Sequence, residues 1–216
     1  YRFTQTTHEE EHMSFQANGI VKTADGREIN LNLKLNMDRS FTSHMDISFT
    51  AGDAPVDPLI INLDSPYASL SAGKYEFDLN ADGIMDSISF AGKGSGFLAY
   101  DKNKNGIIDN GLELFGPSSG NGFLELLKYD DDGNGWIDEN DEIYNNLSIW
   151  IREDDGEPKL LALGQAGVGA IYLGHVASPF SLTDNNNKTQ GVIQQTGIFL
   201  FENGLSGTIQ HVDIAI

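Results

Sequence analysis

The chain has 216 residues, enough for one large domain or two small ones with a real hydrophobic core. Its 13 Lys and Arg face 32 Asp and Glu, a net charge of −19, which excludes a nucleic-acid partner because a polyanion releases no counterions from another polyanion. Absence of cysteine excludes disulfides, thiolate metal sites and cysteine nucleophiles, and no apolar run is long enough to span a membrane.

The first residue is Tyr1 and not Met, so the chain reads as a piece of a longer protein. Residues 1–12 are polar and suggest a loose or helical lead-in. From Met13 the pattern changes: Met13, Phe15 and Ala17 alternate with polar residues, then Asp25-Gly26 signals a hairpin turn. Ile29, Leu31, Leu33, Leu35 and Met37 alternate without a break, and Met45, Ile47 and Phe49 repeat the pattern. A period of two means one buried and one wet face, so residues 13–50 are expected to form an antiparallel meander. It should pack on the rest of the chain or pair with its hairpins. The Gly/Pro/Asp stretch 51–58 is a natural joint, dividing a lead-in and meander (1–54) from a second part (55–216). Leu59-Ile60-Ile61 reads as a short buried strand.

Three acidic loops occupy 78–141, starting 23 and then 29 residues apart, too unevenly for a repeat array. Calcium takes six to eight oxygens. A single loop supplies most of them with side-chain oxygens at positions 1, 3, 5 and 9, a carbonyl at 7, a turning glycine at 6 and a carboxylate at 12. The 130–141 loop fits throughout, with Asp130, Asp132, Asn134, Gly135, Asp138 and Asp141, the Trp136 carbonyl at position 7 and Ile137 as an apolar anchor. Helical patterns flank it: Gly122–Tyr129 with Phe123, Leu126 and Leu127 inward, and a second helix from Glu139 with Ile143 and Leu147 on one face. The expectation is an EF-hand, with the Trp136 ring on the adjacent helix.

The 101–109 loop offers Asp101, Asn103, Asn105, the Ile107 carbonyl and Asp109; Glu113 falls one residue late and would need a bulge at Asn110-Gly111. The 78–86 loop offers Asp78, Asn80, Asp82, the Ile84 carbonyl and Asp86 between strand-like flanks, with the poor ligand Ser89 at position 12. Two to three calcium ions are expected. Each loop also has a plain alternative, a solvated Asp/Asn/Gly turn. Residues 153–158 and 184–187 lack the spacing and read as turns. Ile149-Trp150-Ile151 reads as a strand, and the tail as a hairpin about Asn203-Gly204. The overall expectation is an α+β fold: an N-terminal β-meander, then a β-rich module with an EF-hand-like helix–loop–helix and a C-terminal hairpin. His8, His12, His44, His175 and His211 are scattered and suggest no zinc site.

The run Gly96-Phe97-Leu98-Ala99, the 101–109 loop, Gly111-Leu112-Glu113-Leu114-Phe115-Gly116, Gly122-Phe123, the 130–141 loop and Leu147-Ser148-Ile149-Trp150 resemble a bacterial family. It is the calcium-dependent self-processing module of large RTX-type secreted proteins, with related EF-hand-bearing proteins of unknown role. The resemblance covers roughly residues 55–175. It implies calcium-triggered cleavage of an Asp-Pro bond at the module's start through a cyclic anhydride, which water or a lysine then opens. Asp57-Pro58-Leu59 stands where the family's Asp-Pro-Leu would. No further Asp/Gly calcium run follows it here, and Arg152 stands where the family has an acid. From the residues alone, a carboxylate can act as a nucleophile and proline's tertiary amide has no N–H to tie into a ladder.

Three functions are therefore weighed. The first is a calcium-stabilised structural module of a larger, secreted or surface bacterial protein, its partner the remainder of its own chain. The second is single-turnover self-cleavage, or ligation to lysine, at Asp57-Pro58. The third is an adhesion module contacting a glycan or protein.

Overall fold

The structure, a computed structural model, describes residues 5–23, 26–45, 57–153 and 156–215. Asp25 of the expected first turn, Ile47 and Phe49 of the expected meander, residues 51–56 of the joint, and Asp154 and Asp155 of the acidic turn lie outside them.

β1 (Gln5–Lys22) and β2 (Glu28–Met45) form one long antiparallel hairpin, in register from Gln5 opposite Met45 to Lys22 opposite Glu28. Strand structure begins before Met13, so residues 5–12 are neither loose nor helical. The alternation read from sequence is the alternation seen. Met13, Phe15, Leu35 and Met37 are buried on one face, while Ser14, Gln16, Lys34, Asn36 and Asp38 are exposed on the other.

The remaining strands are β3 (Leu59–Asn62), β4 (Leu70–Phe77), β5 (Asp86–Ala91), β6 (Ser95–Tyr100), β7 (Trp136–Ile137), β8 (Leu147–Ile151), β9 (Lys159–Ala162), β10 (Val168–Thr183), β11 (Thr189–Phe201) and β12 (Ser206–Ile214). Eight of them form one antiparallel sheet in the order β7-β10-β11-β12-β3-β6-β8-β9, and β4 pairs with β5 separately. Both faces of the sheet are covered, which is why its central strands are continuous apolar runs. Ile60, Phe97 and Trp150 face a cluster completed by the hairpins β1–β2 and β4–β5. Leu59, Ile61, Leu98 and Ile149 face a second cluster with Phe115, Phe123, Leu126 and Ile143.

The α+β expectation is corrected: the fold is overwhelmingly β, and the EF-hand helix–loop–helix is absent. The only α-helix among the described residues is α1 (Gly122–Leu126), capped by the Asn121 side chain accepting from the Leu124 N–H at 3.0 Å. It tightens at once into a 3₁₀ turn over 127–129, leaving Leu127 48% exposed and not inward. No helix starts at Glu139; a 3₁₀ turn over 144–146 runs straight into β8. Physically, Leu147 already belongs to the sheet, so too few residues remain after the loop to repay helix nucleation. Trp136 and Ile137 are likewise taken by β10, opposite Tyr172 and Ile171. The Trp136 ring packs on Tyr172 at 4.8 Å between centroids, where a helix was expected.

Buried polar groups fix the central register. Asn62 Nδ2 donates to Thr208 Oγ1 at 2.8 Å and Gln210 Oε1 at 3.1 Å, Ser95 Oγ donates to Asn62 Oδ1 at 2.8 Å, and Gln210 Nε2 donates to Thr196 Oγ1 at 3.0 Å. A one-residue slip would leave all of these unpaired, at a cost of roughly 1–3 kcal/mol for each group.

The β4–β5 hairpin is held by aromatic contacts. The Trp150 ring lies 4.7 Å from Phe90, 4.8 Å from Phe77 and 5.9 Å from Tyr75, all three on that hairpin. Trp150→Ala should lower the unfolding free energy by about 3–5 kcal/mol in urea titrations, and the loop at the hairpin's tip should lose amide-exchange protection with it.

Candidate functional site

The three acidic loops share one internal geometry. In each, the first aspartate accepts from the N–H groups of positions 5 and 6. Asp78 accepts from Asp82 and Gly83, both at 3.0 Å; Asp101 from Asn105 at 3.2 Å and Gly106 at 2.7 Å; Asp130 from Asn134 at 3.1 Å and Gly135 at 2.9 Å. The position-6 glycines have φ of +88°, +86° and +81°, a conformation that L side chains rarely adopt. The third-position oxygens of Asn80, Asn103 and Asp132 accept from the position-5 N–H. The fifth-position oxygens of Asp82, Asn105 and Asn134 accept from the position-7 N–H of Ile84, Ile107 and Trp136. Side-chain oxygens at 1, 3 and 5 thus turn to one side in all three loops.

The closing carboxylates also correspond. Asp141, 1% exposed, accepts from Asp131 N–H at 2.7 Å and Asp138 N–H at 2.8 Å. Glu113, 5% exposed, accepts from Lys102 N–H at 3.0 Å and Asp109 N–H at 2.9 Å. These are positions 2 and 9 of each loop. Glu113 therefore occupies the place of Asp141 from one residue later in the sequence, and residues 111–113 form a 3₁₀ turn that takes up the extra length. The 78–86 loop has no such residue; there Asp86 itself accepts from the Leu79 N–H at 3.1 Å. Ile137 and Ile108 are buried anchors, but Met85, their counterpart, is 63% exposed. Ligand atoms of Asp130, Asp132 and Asp141 lie within 4.8 Å of one another, an all-oxygen, highly anionic set that suits a hard cation.

A second cluster surrounds Asp57-Pro58. β12 pairs antiparallel with β3, placing His211 opposite Leu59, and Val212 N–H donates to the Pro58 carbonyl at 3.1 Å. Ligand atoms of Asp57, His211 and Asp213 come within 4.8 Å of one another, with His211 Nε2 at 3.8 Å from Asp57 Oδ2. His211 is 4% exposed, and neither of its ring nitrogens has a hydrogen-bond partner. On the other side of the peptide, Gly116 (φ +120°) approaches so closely that a Cβ there would stand 1.8 Å from the Asp57 carbonyl oxygen. Glu125 secures this approach by accepting from the Gly116 N–H at 3.0 Å.

Burial, then a hydrogen bond and like charge from Asp213, push the Asp57 carboxyl up to about 7. Burial holds His211 below its ordinary value, against the pull of Asp213, while His175 adds to the lowering. His211 and Asp213 were missed in the sequence. Their one signal there was polar residues on the inward face of a strand that also carries Ile209.

The two clusters are joined by residues 111–116. Gly111 N–H donates to the Asp78 carbonyl at 2.9 Å, and a Cβ on it would meet the Leu79 carbonyl at 1.8 Å. Glu113 closes the 101–109 loop, Leu114 bridges to Ala99, the Phe115 carbonyl accepts from Leu59 N–H at 2.9 Å, and Gly116 lies against Asp57. Six consecutive residues thus touch two acidic loops and the Asp57-Pro58 peptide.

The fold and site define a class: a β-rich module whose acidic, oxygen-lined loops are tied through residues 111–116 to a half-buried Asp-Pro peptide. A family model described as the SPM domain matches residues 59–215, and the chain belongs to the SPM domain family. It is also similar to the iron-regulated protein FrpA of Neisseria meningitidis serogroup C, 31% identical over 150 residues. That match covers 62% of this chain but only 14% of FrpA, so in FrpA the matching stretch is one part of a far longer bacterial protein. No helix among the described residues is long and apolar enough to cross a membrane.

Asp57 is more protonated folded than unfolded, so it stabilises the fold fully below pH 3.8, and this contribution is lost as pH rises through about 7. Asp213→Asn removes the like charge. Carbon-detected NMR of the Asp57 carboxyl should then show its titration moving down toward the ordinary carboxylate range. An unmoved titration would mean that Asp213 does not set it.

Proposed function

We propose that this chain is a calcium-folded self-processing module that cuts its own Asp57-Pro58 bond once. The observation that carries the reading is the 111–116 segment, which connects two acidic loops directly to that peptide. The family match supports it, because the matched stretch begins at Leu59, one residue past Pro58. The bond would then mark the start of the module, with the lead-in and hairpin upstream of it.

Asp101, Asn103, Asn105, Asp109 and Glu113 would hold one ion and Asp130, Asp132, Asn134, Asp138 and Asp141 a second, with the Ile107 and Trp136 carbonyls. Asp78, Asn80, Asp82, Asp86 and the Ile84 carbonyl form the weaker third candidate. Bound calcium would supply the positive charge that lets these loops close despite their mutual repulsion. The chain's own groups do the rest. The Asp57 carboxylate attacks its own main-chain carbonyl carbon, forming a five-membered anhydride. The bond to the Pro58 nitrogen breaks and its electron pair stays on nitrogen, which takes up a proton. The Asp57 carboxyl, raised to about 7, gives up its proton before it attacks, and that proton goes to the departing amine. Gly116, lacking a Cβ, lets the chain pack directly on the Asp57 carbonyl oxygen and hold it, and the buried His211 ring restrains the carboxylate beside it. Water opens the anhydride to a free C-terminal Asp57, or a lysine amine opens it to an amide. The long bacterial relative supports a setting within a larger secreted or surface protein, where calcium is abundant.

Protein purified in chelator should, on addition of millimolar calcium, give two pieces by denaturing gel and intact mass, one ending at Asp57 and one starting at Pro58. Asp57→Ala should abolish them. An unchanged mass over a day, with the chain shown to be folded, would sink the reading. Separately, Glu113→Gln leaves Asp57 untouched but removes the closing charge of the 101–109 loop. It should raise the calcium needed for half-maximal cleavage by roughly tenfold or more. A melting temperature indifferent to calcium would refute the ion's role.

A further inference from the structure

We propose that the N-terminal hairpin, residues 5–45, stays docked on the module after the chain is cut ahead of Pro58, so that scission yields a two-chain complex and not separate products. This builds on the self-processing reading for its biological occasion, but the docking itself does not depend on it.

The hairpin's hold on the module is made with residues that follow Pro58. Met13, Phe15, Leu35 and Met37 are 4–7% exposed and belong to one apolar cluster with Phe180 and Ile193 of β10 and β11. Polar contacts pin its open end to Ser181 of β10 and to Asn187 in the turn that joins β10 to β11. Arg39 Nη1 donates to Asn187 Oδ1 at 2.6 Å, Asn187 Nδ2 donates to Glu9 Oε2 at 3.2 Å, and Ser181 N–H donates to Glu11 Oε1 at 3.0 Å. Arg39 in turn pairs with Glu11 at 3.2 Å, tying both hairpin strands to this corner. An isolated two-stranded hairpin is at best marginal in water, so this one owes its order to the surface beneath it. None of these contacts needs a covalent link through residues 46–58. Breaking that link removes only the effective concentration that tethering confers, while the apolar face keeps its cover. The occupant of that face is thus the chain's own upstream segment, recognised by an alternating apolar stripe with acidic and arginine anchors at one end.

The test keeps this separate from self-cleavage. In the full chain carrying Asp57→Ala, a site for a sequence-specific protease is placed within residues 46–56, and cutting is verified on a denaturing gel. Size-exclusion chromatography at low-micromolar concentration should then show both pieces eluting together, separating only in urea. Elution of the hairpin piece on its own would overturn the proposal. As a check on the surface, Phe15→Asp in the same background should release the piece once cut, and retention despite that change would show that the described apolar face is not what holds it. If wild-type chain cuts itself with calcium, its two products should also co-elute. If it does not, the protease result still decides the docking.

Discussion

The antiparallel pairing of β12 with β3 is the constraint on which everything near Asp57 depends. It brings the last strand of the chain against the first strand after Asp57-Pro58, and the Val212-to-Pro58 hydrogen bond fixes its end. The buried amide and hydroxyl groups of Asn62, Thr208 and Gln210 make this pairing possible in one register only. From that register follow the approach of His211 and Asp213 to Asp57 and the raised protonation of its carboxyl. A site assembled in this way cannot exist before β12 is in place, so the environment of the Asp57 carboxyl belongs to the completed fold and not to the Asp-Pro sequence itself.

Electrostatics give the same arrangement a direction. Much of the charge of −19 is gathered in the acidic loops, where first-position carboxylates already accept pairs of main-chain N–H groups. The 78–86 and 130–141 loops are shaped but self-repelling, while in the 101–109 loop Lys102 and Lys104 balance Asp101 and Asp109. Glu113 and Asp141 are buried acids, each of whose two oxygens accepts one main-chain N–H of the loop it closes and keeps a lone pair free. Neutralising a loop therefore acts on the backbone directly, and in residues 111–116 that backbone continues to Gly116 and the Asp57 carbonyl.

Local patterns in the sequence were readable where one face or one loop decides the structure. The alternation from Ile29 to Met37, the run Leu59-Ile60-Ile61, and the loop positions from Asp78, Asp101 and Asp130 all depend on neighbours a few residues away. Even the late Glu113 could be placed by counting. The EF-hand helices could not, because Phe123, Leu126, Ile143 and Leu147 have helical spacing and yet are buried by a single turn, a 3₁₀ turn and the start of β8. Helix was decided against by β8, which takes Leu147 into the sheet too soon after the loop, while Trp136 and Ile137 pair with β10, a partner more than thirty residues on. His211 and Asp213 were illegible for the same reason at greater range: nothing near them in sequence mentions Asp57.

β10 has consequences of its own. β11 covers one of its edges, and at the other the two residues of β7 pair with Ile171 and Tyr172. Further along that strand, the Ser181 N–H is satisfied by the Glu11 carboxylate. An unsealed edge of this length invites a strand from another molecule. One seal is part of an acidic loop and the other part of the segment ahead of Asp57. The β7 pairing and the Glu11 contact each cover a stretch of edge that would otherwise present unpaired N–H and C=O groups.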